Sequence, residues 1–228
     1  MKTVPSDKII SFPVQRQGKK RRERRIRSVD GIKYFNERQI KLLRRTVRDQ
    51  AEIDAKKRNI TGTKEWMAID LLTSTGLRVS EAANLRCGDL KVGYADNKIY
   101  VREGKGGITG HVVINESLKK HLKNFLKWKE SNREATGEED HLFIGQRGHW
   151  TSQAIQQIVK KYLKKLNLYE PGKSAHALRH SYAVELYSKE RDLRTVQKQL
   201  RHTSLQSTLI YADVTDENIG GQIKNLWN

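Results

Sequence analysis

Cysteine is almost absent from this chain. Its one thiol, Cys87, cannot close an internal disulfide, which fits a reducing compartment and leaves Cys87 to be read as structural. No apolar run approaches the roughly 18 to 20 residues needed to span a bilayer, and the N-terminus lacks an apolar stretch followed by a small-residue cleavage site. Membrane partners are therefore not expected, and a cytoplasmic protein is. No internal repeat and no low-complexity segment beyond one basic run is present, which excludes a solenoid. Acidic residues are also in short supply, 26 against 45 Lys and Arg, so the formal charge is +19 and the isoelectric point about 10.0.

That imbalance calls for a polyanion. Each phosphate neutralised by Lys or Arg releases condensed counterions, so nucleic acid is the first candidate. Charge alone does not separate an enzyme from a protein that coats RNA or DNA. At 228 residues the chain holds one ordinary domain with a tail and can bury a sizeable core.

The basic run lies near the start. Arg16 to Arg27 carries eight Lys or Arg in twelve positions, a density that repels itself and is disordered when alone. Residues 1–32 therefore read as a flexible arm. Lys19, Lys20, Arg21, Arg22, Arg24, Arg25 and Arg27 are its candidate DNA contacts, along phosphates or in a groove.

From Tyr34 onward the pattern is that of a mainly α domain, taken here as residues 33–214, with a small antiparallel β hairpin (α+β). Asn36 is placed to cap a helix bearing Ile40, Leu43, Val47 and Ala51 at helical spacing. Further helices are expected over Lys64–Thr75 with a stop at Gly76, from Ser80 through Leu85, around Leu118–Leu126, and after a capping Ser152. Lys98–Glu103 and Thr109–Asn115 flank Gly104-Lys105-Gly106-Gly107 as a hairpin, and His141–Gly145 reads as a short strand. Past Pro171 come helical segments at Ser174–Lys189, Asp192–Arg201 and Ser204–Tyr211. Residues 215–228 read as a terminal helix or tail, a plausible subunit contact.

Five features carry chemistry, in this order: Thr75-Gly-Leu-Arg78-Val-Ser-Glu81, Gly104-Lys105-Gly106, His176-Ala-Leu-Arg179-His180, His202, and Tyr211 nine residues later. Attack on a phosphodiester puts negative charge on the non-bridging oxygens, so cations must wait there. Arg78 and Arg179 each offer a planar fork that stays protonated, although Arg78 could simply pair with Glu81 three residues on; Glu81 would then orient it. A phenol, with a pKa of roughly 10, attacks poorly unless a base takes its proton or cations favour the phenolate. His176, which shares a helix face with Arg179, is the leading base candidate, and His202 a donor to a non-bridging oxygen. His176 and His180, four apart, could instead ligate zinc with His202 as a third, although no HExxH glutamate or cysteine pair accompanies them. His111, His121, His141 and His149 read as bystanders. The departing 5′ oxygen needs an acid, and Lys105 on a glycine-flanked tip can reach it.

Taken together, in this order and on so basic a chain, these features resemble the catalytic domain of tyrosine recombinases of the phage integrase family, over roughly Tyr34 to Val214. The resemblance implies that Arg78 and Arg179 clamp the phosphate, that Lys105, His176 and His202 complete the site, and that Tyr211 is the nucleophile. It implies a site-specific recombinase acting on double-stranded DNA, found on mobile elements or in the nucleoid, with no cofactor and no metal. A monomer when alone and a homotetramer on synapsed DNA, with accessory recombination proteins, complete that picture.

The chain departs from the family in three places. The hairpin lacks the second basic residue usual after the lysine, reading Gly106-Gly-Ile-Thr-Gly110. Arg201 stands where a glycine is usual. Relatives generally carry a helical core-binding domain first, whereas about 30 residues precede the catalytic segment here, so the basic arm is expected to replace part of the clamp. Two other functions stay open: a type IB topoisomerase, with nearly the same chemistry, and a DNA-binding module that has lost cutting and regulates another recombinase. The recombinase reading further expects the phenol, both guanidiniums, the ammonium and two imidazoles to surround one phosphate; a phenol shut into core would count against it.

Overall fold

The computed structural model describes residues 32–102 and 109–215. The basic-arm candidates, Lys105 and the helix expected over 216–227 lie outside the described residues. Among the described residues there are eight α-helices, one short 3-10 helix (Cys87–Asp89) and two small antiparallel sheets, so the mainly α fold with a minor β component is as expected.

Helix α1 (Glu37–Lys56) begins with a reciprocal capping box. Asn36 Oδ1 accepts from the Gln39 amide at 3.0 Å, and Gln39 Oε1 accepts from the Asn36 amide at 3.1 Å, so two of the orphan donors at a helix start are satisfied. Its inward stripe is Leu43, Val47 and Ala51. Helix α2 (Thr61–Thr75) is buried almost all round, which is why it shows little amphipathic periodicity and serves as the central post. It stops at Gly76, whose φ of 65° is left-handed. A side chain there would also come within 2.5 Å of the Tyr182 ring, so glycine is required twice over.

After α3 (Val79–Asn84) come β1 (Leu90–Lys91), β2 (Lys98–Val101) and β3 (Gly110–Val113). β2 and β3 pair with Lys98 opposite Val113 and Val101 opposite Gly110, the hairpin that the sequence expects. β1 joins on the other side, Leu90 opposite Ile99; a two-residue strand has too short a period to be read from sequence. Ile99, Val101 and Val112 face the core.

Helix α4 (Glu116–Ser131) is capped by Asn115. The strand expected at His141–Gly145 contracts to β4 (Ile144–Gly145), paired with β5 (Gly148–His149), while His141 forms an isolated bridge to Arg86. Helix α5 (Ser152–Lys165) is capped by Thr151 rather than Ser152. Helices α6 (Ala175–Glu190), α7 (Leu193–Leu200) and α8 (Gln206–Thr215) complete the described chain. Among the described residues no helix is long and apolar enough to cross a membrane.

The apolar side chains fall into two clusters. The larger spans Phe35 to Leu178 and collects buried residues from α1 to α6 and the larger sheet, with Cys87 among them. The smaller consists of Ala183, Val196, Leu200 and Tyr211, ringed by Tyr182, Val184, Leu186, Tyr187 and Ile210. It lies where α6, α7 and α8 meet, beside the end of α2.

Candidate active site

The turn from α2 into α3 sets the first arginine. Arg78 is the N-cap of α3, so its backbone is extended and its amide has no helical acceptor. Glu81, at the third helical position, supplies one: its Oε2 accepts from the Arg78 amide at 2.7 Å, and its Oε1 accepts from Arg78 Nη1 at 2.7 Å. Pairing of Arg78 with Glu81 and orientation of Arg78 by Glu81 are thus the same contact. Arg201 also donates from Nη2 to Glu81 Oε2 at 2.5 Å, so one buried carboxylate holds two guanidiniums. Burial by itself would push the Glu81 carboxyl up, but the Arg201 charge and the hydrogen bonds from Arg201 and Arg78 outweigh it and hold the group below its usual range.

Arg179, on α6, is buried and acts as a tie. It donates from Nη1 to the Gly76 carbonyl at 2.6 Å and from Nη2 to the Leu200 carbonyl at 2.7 Å. It thereby joins the C-terminal ends of α2 and α7, where carbonyls lack helical partners and a cation is favoured. Burial, helped by repulsion from Arg78, lowers its pKa to about 10, which leaves it charged at neutral pH. Each terminal nitrogen keeps a second hydrogen for an anion.

His202 follows the α7 C-cap. Its Nδ1 lies 2.9 Å from Thr208 Oγ1, which orients the ring. Burial first, then the positive charges of Arg179 and Arg78, hold its pKa down to about 4. The ring is therefore neutral at pH 7 and can donate through one nitrogen while the other accepts, as a donor to phosphate requires.

Tyr211, on α8, is only 1% exposed. The residue is thus packed into the smaller apolar cluster, yet close enough to Arg179 and Arg78 for their charges to act on the phenol. Its ring stacks on His202 with centroids 6.3 Å apart. Its Oη lies 3.0 Å from His180 Nδ1. Which of the two donates depends on the imidazole tautomer. His176 reaches this group through an edge-to-face contact with His180, centroids 4.6 Å apart. Burial raises the phenol above its ordinary pKa, while Arg179 and Arg78 pull it the other way. The hydroxyl is thus protonated in this arrangement.

The structure therefore brings Arg78, Glu81, Arg179, His202 and Tyr211 together, with His176 one ring further out. Sequence reasoning overlooked two members. His180 was considered only as a zinc ligand, although its position one residue after Arg179 was the available signal. Arg201, standing where a glycine is usual, is expected from sequence to add charge near the site and to alter the turn, but its bond to Glu81 is not foreseen. Among the described residues no group of three or more His, Cys, Asp or Glu side chains is disposed to hold a metal.

Solved structures match this architecture closely enough to define the class. Crystal structures of the XerA recombinase (TM-score 0.65, 25% identity, covering 86% of this chain and 65% of that one) and of the XerH site-specific recombinase in a post-cleavage complex with palindromic difH substrate (TM-score 0.70, 25% identity, 86% and 54%) share its fold. The fold is that of a tyrosine-recombinase catalytic domain. Residues 33–218 match the model of the phage integrase family, and the chain belongs to that family. Curated relatives include tyrosine recombinase XerC of Caldanaerobacter subterraneus subsp. tengcongensis, 34% identical over 68% of this chain and 43% of the relative. Tyrosine recombinase XerA of Pyrococcus horikoshii is 33% identical over 68% of this chain and 52% of the relative. The chain spans about half the length of the curated relatives it matches.

Proposed function

We propose that this domain breaks and rejoins double-stranded DNA at specific sites, with Tyr211 as nucleophile. Arg78 and Arg179 would clamp the scissile phosphate, and His202 would donate to a non-bridging oxygen. The phenolic oxygen forms a bond to phosphorus, the bond to the 5′ oxygen breaks, and the 3′ end is held as a phosphotyrosyl ester. The phenolic proton passes to a histidine, His180 by the geometry or His176 by the sequence argument. The departing 5′ oxygen takes a proton from Lys105. A 5′ hydroxyl from a partner duplex then reverses the step, so the ester conserves the bond energy and neither metal nor nucleotide is consumed. Two duplexes exchanging strands need four subunits, which makes a homotetramer on DNA the working assembly.

The observation that carries this reading is the convergence of two cationic guanidiniums, a neutral imidazole and a histidine-bonded phenol at the ends of α2, α6 and α7. The net charge of +19 supports a DNA partner, as do the relatives named tyrosine recombinases. Attack requires α8 to swing about the link between Leu200 and Gln206, carrying the phenol out of its cluster and toward the two arginines.

Burial of Tyr211 is the one observation that favours a second reading, a DNA-binding module that no longer cuts. The separating experiment incubates wild type and Tyr211→Phe with nicked suicide duplexes drawn from the DNA flanking the gene, followed by denaturing gels. A covalent adduct in wild type and none in the phenylalanine variant, at unchanged DNA affinity, is the expected result. Binding with no adduct in wild type would establish the module instead.

A further inference from the structure

Arg201 occupies a costly position. Its φ is 52°, in the left-handed region, where a side chain other than glycine is strained. It stands at the C-cap of α7, where its amide bonds the Gln197 and Lys198 carbonyls. A glycine would serve that turn with less strain, so the turn itself does not account for arginine.

The side chain has a definite destination. Its stem fills the space beside Gly110, where an added Cβ would come within 2.8 Å of Arg201 Cδ, and its Nη2 meets Glu81. The side chain is 7% exposed. Its other terminal nitrogen, Nη1, is buried with no hydrogen-bond partner among the described residues. A buried guanidinium nitrogen lacking an acceptor is unfavourable. Through Nη2 the same guanidinium shares the Glu81 carboxylate with Arg78, and its charge acts on both Arg179 and His202.

Charge points the same way. Attack on a phosphodiester raises the charge on the phosphoryl group from one negative to two. Arg78 and Arg179 supply two positive charges, but Glu81 cancels one. Arg201 restores the second.

We propose that Arg201 is a third phosphate-binding guanidinium of this site, presenting Nη1 to the DNA phosphate held by Arg78 and Arg179 while Glu81 fixes its Nη2. The inference rests on the reading that those two arginines hold a DNA phosphate. It makes the departure at position 201 a gain in anion binding obtained at the cost of backbone strain.

The test measures binding of the full chain to a random-sequence duplex across a salt series, for Arg201→Gly in the wild-type and in the Glu81→Gln background. Glycine suits the left-handed turn, so the variant is expected to fold, as its thermal melt would verify; Arg201→Gln, which keeps the stem packed against Gly110, is the second variant. Each phosphate neutralised contributes about 0.9 to the slope of log affinity against log salt. A slope lower by about that amount in both backgrounds is expected. An unchanged slope in both overturns the proposal. A fall only where Glu81 is ionised also overturns it, since Arg201 would then act by neutralising that carboxylate alone. Failure of the wild type to form a tyrosine adduct would sink the cutting reading while leaving these slopes measurable, so the two failures are distinguishable.

Discussion

The two apolar clusters differ in more than size. The larger draws buried aliphatic and aromatic side chains from α1 through α6 and the larger sheet, with Leu43, Met67, Leu72, Leu122, Phe125 and Val159 all at 1% exposure or less. The smaller has four buried members, and one is the phenol proposed to attack DNA. Regions that bury less apolar surface open locally at lower free energy than the body of a domain. On the proposed function, a phenol kept in the smaller cluster is released without unfolding the scaffold that holds Arg78 and Arg179. The cations sit at the border of the two: Arg179 ties the end of α2 to the end of α7, and Gly76 lets Tyr182 and Leu200 press against that turn.

The sharpest way to break this comparison is one substitution made on each side. Leu122→Ala, in the larger core, is expected to lower global stability by about 2 to 5 kcal/mol in chemical denaturation. Leu200→Ala, equally buried, should fall near the lower end of that range, about 2 kcal/mol. It should also speed amide exchange in α8 selectively. Equal losses with uniform exchange would mean that the clusters open as one unit.

Gly76→Ala probes the border and should cost somewhat less, on the order of 1 to 2 kcal/mol from the left-handed backbone alone, plus displacement of the Tyr182 ring. A thermal melt measures the cost. If the border couples the clusters, the same variant should weaken DNA binding, because Arg179 bonds the Gly76 carbonyl.

A pH dependence of stability is also expected, from a residue that stacks on the smaller cluster. His202 is held at about 4 in the folded chain, against 6.5 ordinarily. Between those values the unfolded chain binds a proton that the folded chain refuses. The contribution of neutral His202 is thus complete above about 6.5 and is lost as pH falls toward about 4. His202→Gln should flatten stability against pH across that window in denaturation midpoints, and an unaltered profile would contradict the assignment.

Much of the fold was legible because its signals are local. Asn36 and Gln39 form a capping box three residues apart, Gly76 ends α2 through its own φ, and the apolar spacing of α1, α4 and α5 follows the helical period. β1 was not legible, since two residues gain strand character only from the partner they meet. The site was readable in part: Arg78, Glu81, Arg179, His202 and Tyr211 lie together, whereas the partnership of His180 with the phenol depends on how α6 and α8 cross.

Sequence alone determined the residue types, their order and the excess of positive charge, because these are properties of the chain and of turns a few residues long. Tertiary structure alone decided that Glu81 holds two arginines and that Arg201 keeps a buried nitrogen without a partner among the described residues. It also decided that Tyr211 rests inside a small apolar cluster. Each of these joins groups from distant parts of the chain, and their protonation follows from burial and neighbouring charges that exist only once the helices have packed.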